Sequence, residues 1–164
     1  MLAQSEGPGK GSRFTVTLPL LSKATDPVTV APPIGESLQA SERLRVLIVD
    51  DNEDAAEMLA MLVDASSHDA IVEHHPLRAL ERISSDPPDV CLLDVGLPDL
   101  DGYELARAIR SRYGPDRLTL VAITGYGQPQ DRRDALQAGF DEHFPKPVDS
   151  GRLAGLLASL SRTF

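Results

Sequence analysis

From Arg43 onward the chain alternates short apolar runs with amphipathic segments. Residues 44–49 (LRVLIV) form a run rich in branched side chains that stops at Asp50 and Asp51. Residues 54–66 place Ala55, Met58, Leu59, Leu62 and Val63 at helical spacing. Residues 70–73 (AIVE) read as a short strand. His75 and Pro76 open a helix with Leu77, Leu80 and Ile83 on one side, proline being well tolerated at the first helical position. Pro87 and Pro88 end it. Residues 89–93 (DVCLL) form a buried strand ending at Asp94, and the loop 96–102 (GLPDLDG) leads into a helix carrying Leu105, Ala106 and Ile109. Residues 118–123 (LTLVAI) predict a strand ending at Thr124, followed by a weakly patterned helix over about 130–138. Phe140 to Phe144 is a short strand ending just before Lys146. Leu153, Leu156, Leu157 and Leu160 stripe a last helix.

Five strands thus alternate with five helices. Strands apolar on both faces, each followed by a helix, call for a parallel sheet with right-handed crossovers. The expected fold is α/β: a doubly wound five-stranded sheet in the flavodoxin-like order 2-1-3-4-5, with helices on both faces. In such sheets ligands sit at the carboxyl ends of the strands. Those ends carry Asp50 and Asp51, Asp94, Thr124 and Lys146.

The first 42 residues have a different texture. Residues 1–21 read as a glycine-rich loop and one strand over residues 14–18 (FTVTL), with nothing inside its own segment to pair with. Residues 22–42, with Pro27, Pro32 and Pro33 among small polar residues, have the composition of a flexible linker. The folded domain is expected over 43–164.

Charge narrows the partners. The chain carries −9 overall, and residues 43–164 hold 21 acidic against 13 basic side chains. An acidic surface argues against direct nucleic-acid binding and against contact with anionic membranes. No apolar stretch approaches 18 residues, and the N-terminus does not read as a signal peptide. The single cysteine, Cys91, lies in an apolar run, so a reducing, cytoplasmic compartment is the expectation.

The strand ends suggest a chemistry. Carboxylates gathered in one place repel unless a cation intervenes, and oxygen-rich clusters suit Mg²⁺. Lys146 is the only lysine among residues 43–164, a compact charge able to meet a carboxylate and a phosphate oxygen in turn. Thr124 adds a hydroxyl donor. An acceptor carboxylate, a metal, a cation and a hydroxyl are the parts of a phosphoryl-transfer site. Taken singly, each has an ordinary explanation: an Asp after a strand caps a helix or forms a turn. Their occurrence together at successive strand ends is not explained that way.

The strings VLIVDDNEDAAEML, CLLDVGLPDLDGYELARAIR, LVAITGYG and FPKPVD resemble the receiver domains of two-component signalling, over about residues 43–163. The resemblance implies Asp94 as phosphoacceptor, with Mg²⁺ as cofactor. Asp51 would bind the metal directly, Asp50 mainly through water, and Gly96 through its backbone carbonyl. Lys146 would pair with Asp94 and then with the phosphoryl group, which Thr124 would also meet. The Lys146–Pro147 bond would be cis. The implied partner is a histidine kinase or a histidine phosphotransfer domain; a homodimer is left open. Tyr126 stands where receivers often contact partners. Two departures follow. Many receivers have Tyr or Phe three residues before the lysine; here it is His143, which would share the switch role with Thr124 but is smaller and titratable. Pro145 removes a ladder N–H, which fits only an edge strand.

GPGKGSRFTVTLPL resembles the last glycine-rich loop and final strand of histidine-kinase ATPase domains. With a linker and a receiver behind it, this implies a piece of a hybrid histidine kinase. No ATP binding is expected without the rest of that domain, and the only chemistry expected of the piece is phosphoryl uptake from a donor and loss by hydrolysis. Two rivals stand. A phosphatase of the haloacid-dehalogenase type would need an Asp two residues after the nucleophile, where this chain has Asn52 or Gly96. A degenerate receiver would keep the fold and only bind protein. His68, His74 and His75 show no metal-ligand spacing with Cys91 and read as loop and surface residues; Arg132 and Arg133 read as a solvated helix face.

Overall fold

The computed structural model describes residues 2–5, 7, 11–15, 43–125 and 129–161 of the 164-residue chain. Two compact units divide it, Met1–Ser37 and Leu38–Phe164.

The first unit holds β1 (Leu2–Ser5) and β2 (Ser12–Thr15), an antiparallel pair with Leu2 opposite Thr15 and Ser5 opposite Ser12. This corrects the expectation of a lone strand: β2 has a partner inside its own segment. Four residues, LAQS, carry too little alternation to announce a strand. Residues 16–18 of the expected strand and the linker 22–42 lie outside the described residues.

The second unit carries β3 (Arg45–Val49), β4 (Asp69–Glu73), β5 (Val90–Asp94), β6 (Thr119–Thr124) and β7 (Glu142–Pro145). All pairings are parallel, in the order β4-β3-β5-β6-β7. Counted within the sheet, that is the expected 2-1-3-4-5. Five helices follow the strands: α1 (Glu53–Ala65), α2 (Pro76–Ser85), α3 (Gly102–Tyr113), α4 (Pro129–Ala138) and α5 (Ser150–Leu160).

Side chains alternate across the sheet, and each face has its own core. Leu47, Val49, Cys91, Leu93, Leu120 and Ala122 pack with the buried residues of α2, α3 and α4. Val46, Ile48, Val90, Leu92, Val121 and Ile123 pack with those of α1 and α5. Burial on both faces explains why these strands read as unbroken apolar runs.

The helices need stricter phasing than the sequence offered. In α1 the inward face is Ala56, Leu59 and Val63, so Met58 points to solvent at 61% exposure. In α2 it is Pro76, Ala79 and Ile83, and Leu77 is 65% exposed. Both had been expected on the packed side. The packed residues recur at three and four positions, and Met58 and Leu77 fall one position off that stripe.

Three helices begin on side-chain caps. Asn52 accepts the Ala55 N–H, Asp101 that of Glu104 and Asp149 that of Arg152. The cap of α1 is therefore Asn52, which leaves both preceding aspartates for other work. β7 lies at the sheet edge, as Pro145 requires, and the next N–H, of Lys146, donates to the Thr124 carbonyl at 2.7 Å. His68, expected at the surface, is buried: its Nδ1 accepts the Leu44 N–H at 3.2 Å.

Candidate functional site

The carboxyl ends of β3, β5, β6 and β7 bring together the residues that the strand-end argument selected. Asp50 follows β3 and is 1% exposed; its Oδ1 accepts the N–H of Asn52 at 3.0 Å. That turn fixes the carboxylate and leaves Oδ2 for Lys146, whose Nζ lies 2.7 Å away. Asp94 ends β5, the middle strand of the sheet, and is nearly buried. Its Oδ1 accepts the Gly96 N–H at 3.2 Å, and its Oδ2 lies 3.2 Å from Lys146 Nζ. Asp51 is exposed beside them.

Asp50, Asp51 and Asp94 each offer a carboxylate oxygen, and these three oxygens lie within 4.8 Å of one another. Hard oxygen donors this close fit a divalent ion such as Mg²⁺. Lys146 is the cation the structure places against them. It bridges two acids, and is closer to Asp50 than to Asp94, the partner the sequence resemblance had named. Burial works against its charge, but the hydrogen bond to Asp50 and the charges of Asp94 and Asp50 outweigh that, so its pKa is raised. The peptide bond between Lys146 and Pro147 is cis, as the resemblance implied.

Thr124 ends β6 and is buried; its Oγ1 lies 2.7 Å from Nε2 of His143 on β7. Burial lowers the His143 pKa; Asp131 and Glu142 pull it up, and Arg132 and Arg152 push it down.

A cavity of about 310 Å³ opens over Asp94 and is lined also by Val95, Gly96, Tyr103, Thr124, Gly125, Asp131 and Lys146. A water molecule occupies about 30 Å³ of liquid, so a phosphoryl group and several waters fit. The sequence reading missed Tyr103 and Asp131. Tyr103 follows Gly102 at the start of α3, and Asp131 sits in the weakly patterned α4; neither stands at a strand end. The Tyr103 pKa is raised, first by burial and then by Asp131, Asp134 and Asp101.

Gly102 was missed too. A Cβ there would stand 2.2 Å from the Asp94 carbonyl oxygen and 2.7 Å from Val95 Cα. Only glycine lets α3 start against the backbone at the end of β5, and its N–H donates to the Val95 carbonyl at 3.2 Å. His74, also read as a surface residue, is half-buried with Nδ1 2.9 Å from the Asp50 carbonyl oxygen. Tyr126 lies outside the described residues; Arg132 and Arg133 are exposed, as expected.

Comparison with known proteins bears on the family and the fold. Residues 46–158 match the model of the response regulator receiver domain. The chain is 35% identical over 158 residues to the sensor histidine kinase AtsR of Burkholderia thailandensis, covering 93% of this chain and 25% of the kinase. It is 34% identical over 119 residues to the response regulator MprA of Mycobacterium ulcerans, covering 73% of this chain and 50% of that protein. The chain therefore spans a quarter of one relative and half of the other. Among solved structures, the beryllofluoride-activated receiver domain of Klebsiella pneumoniae RstA superposes with a TM-score of 0.65 at 25% identity, covering 72% of this chain and 98% of that one. A two-component response regulator from Clostridium difficile shares the fold, with a TM-score of 0.67 at 23% identity over 73% of this chain and 97% of that one. Receivers of this kind take phosphate from histidine kinases or phosphotransfer proteins and bind Mg²⁺ at the acidic pocket. By sequence, fold and acidic pocket alike, the chain belongs to the response regulator receiver family, the phosphoryl-accepting domains of two-component signalling.

Proposed function

We propose that Asp94 is the phosphoryl acceptor and that the donor is a phosphohistidine on a histidine kinase or histidine phosphotransfer domain. The observation that carries this is the position of the Asp94 carboxylate: it lines the 310 Å³ cavity with Lys146 Nζ 3.2 Å away and Thr124 also lining it. A carboxylate oxygen of Asp94 attacks phosphorus and forms the O–P bond as the N–P bond breaks. The electron pair stays on the donor imidazole nitrogen. Lys146 meets charge on the phosphoryl oxygens, and the Thr124 hydroxyl donates to one of them. Asp50, Asp51, Asp94 and the Gly96 carbonyl would hold Mg²⁺, which neutralises charge on the transferring group. Water later cleaves the acyl phosphate, or a second histidine protein removes the group.

The phosphatase alternative is not favoured: Asn52, where that family needs a second acid, has its side chain engaged as the α1 cap. The N-terminal unit supports origin in a hybrid histidine kinase. The match to AtsR takes in 93% of the chain, whereas residues 43–164 make up only about three quarters of it, so that match reaches into the first 42 residues.

Intact mass spectrometry after incubation with acetyl phosphate and Mg²⁺ tests the assignment. Wild type gains the mass of one phosphoryl group, and Asp94→Asn gains none. Unchanged wild-type mass, or equal labelling of the variant, overturns it.

A further inference from the structure

The pairing behind Thr124 has a consequence for the direction of its hydroxyl. His143 stands opposite Ala122 in the β6–β7 register, with Nε2 2.7 Å from Thr124 Oγ1. A threonine hydroxyl has one hydrogen to give. A neutral imidazole has one nitrogen that accepts and one that donates, whereas an imidazolium donates from both. When Nε2 accepts, the hydroxyl hydrogen points at the ring and away from the cavity. When Nε2 carries a hydrogen, Oγ1 accepts it and the hydroxyl hydrogen is released toward the cavity that Thr124 lines.

We propose that His143 is a positioning residue whose proton sets which way the Thr124 hydroxyl points. The neutral ring holds the hydroxyl hydrogen away from Asp94, and the imidazolium turns it toward a phosphoryl oxygen there. This rests on Asp94 being the acceptor.

The charged groups facing the ring come from three elements. Asp131 and Arg132 belong to α4, Arg152 to α5, and Glu142 precedes the histidine on β7. Two acids and two arginines oppose one another, and burial tips the balance toward the neutral ring. A phosphorylated side chain carries a charge of about −1.5 to −2 at neutral pH. Placed in the cavity, that charge favours the imidazolium, so phosphorylation takes up a proton at His143. By reciprocity, protonating His143 tightens the hold on the phosphoryl group.

Beryllofluoride with Mg²⁺ serves as the probe, on the full chain. NMR titration of the His143 ring is run in Mg²⁺ throughout, without and with beryllofluoride, while the Gly96 and Thr124 amides report its binding. The His143 pKa is expected to rise by about one unit or more when the probe binds. The apparent dissociation constant is then measured at about pH 8 and about pH 5.5. Wild type is expected to gain about tenfold at the lower pH relative to His143→Phe, the worth of one hydrogen bond to a charged group. His143→Gln, which cannot titrate, is expected to be as flat as His143→Phe. If the amides report binding and the His143 pKa stays where it was, the neutral ring already donates from Nε2 and the proposal is wrong. The same holds if His143→Phe keeps the wild-type pH dependence. If no amide moves at any pH, the acceptor reading itself fails, and the proposal falls with it.

Discussion

Lys146 shows how one side chain shapes the site. Its Nζ sits 2.7 Å from Asp50 and 3.2 Å from Asp94, so it occupies oxygens that a divalent ion would also use. Ammonium and metal therefore compete for the same carboxylates. Lys146→Met is expected to bind Mg²⁺ about fivefold more tightly, the order of one solvent-screened ion pair at about 1 kcal/mol, while taking up phosphoryl more slowly. Calorimetric Mg²⁺ titration and the mass time course read the two effects separately; unchanged Mg²⁺ affinity would remove the competition argument. The raised pKa of Lys146 keeps it charged through neutral pH. The part of the fold's stability that depends on this pairing is present below the ordinary lysine pKa and is lost only as pH rises through the raised one. The sequence showed Asp50, Asp51, Asp94, Thr124 and Lys146 because each ends a strand or stands within two residues of its end. It did not show Gly102, where a Cβ would stand 2.2 Å from the Asp94 carbonyl oxygen, because close approach between distant backbones leaves no local pattern.

At the level of elements, β3 depends on a contact that composition disguised. His68 precedes β4, and its Nδ1 accepts the N–H of Leu44, which precedes β3. An accepting Nδ1 carries no proton, so the ring must be neutral with its hydrogen on Nε2. Burial lowers the His68 pKa, against an opposing pull from Asp69. The unfolded chain, titrating near 6.5, then binds the proton more readily than the folded one. Stability is expected to fall as pH drops below about 6.5 and through the lowered pKa. His143 contributes in the same direction. Urea unfolding across this range should show a shallower pH dependence in His68→Gln, whose amide oxygen can accept the Leu44 N–H. His68→Ala leaves that N–H buried without a partner and is expected to cost about 1–3 kcal/mol. An equally steep wild-type and His68→Gln profile would clear His68 of the effect. A histidine between two short polar residues and an aspartate reads as a loop, and only the parallel pairing of β3 with β4 brings Leu44 to it. The strands themselves were legible because both faces are buried, whereas Met58 and Leu77 misled because an apolar residue one position off a helix stripe looks much like one on it.

For the whole molecule, the acidic cluster sets fold against function. Asp50, Asp51 and Asp94 converge within 4.8 Å, with Lys146 the lysine ion-paired to two of them. Folding thus concentrates like charge at the carboxyl edge of the sheet, a cost the extended chain does not bear. An ion that binds the assembled cluster and not the unfolded chain offsets this, by about 2.7 kcal/mol at a hundredfold excess over its dissociation constant. For a domain of this size that corresponds to about 10 °C in melting temperature. Asp51 is the member to remove, because it is exposed and its loss leaves no buried gap. Asp51→Asn is expected to melt higher than wild type without metal, since one repulsive charge has gone, and to gain little when Mg²⁺ is added. Scanning calorimetry of both proteins in a chelator and in millimolar Mg²⁺ compares the four values directly. An Mg²⁺ increment as large in Asp51→Asn as in wild type would place the stabilising ion somewhere other than the cluster. The wild-type increment matters for the chemistry as well, because the same carboxylates that destabilise the metal-free fold are those that would hold the ion beside Asp94, the proposed acceptor.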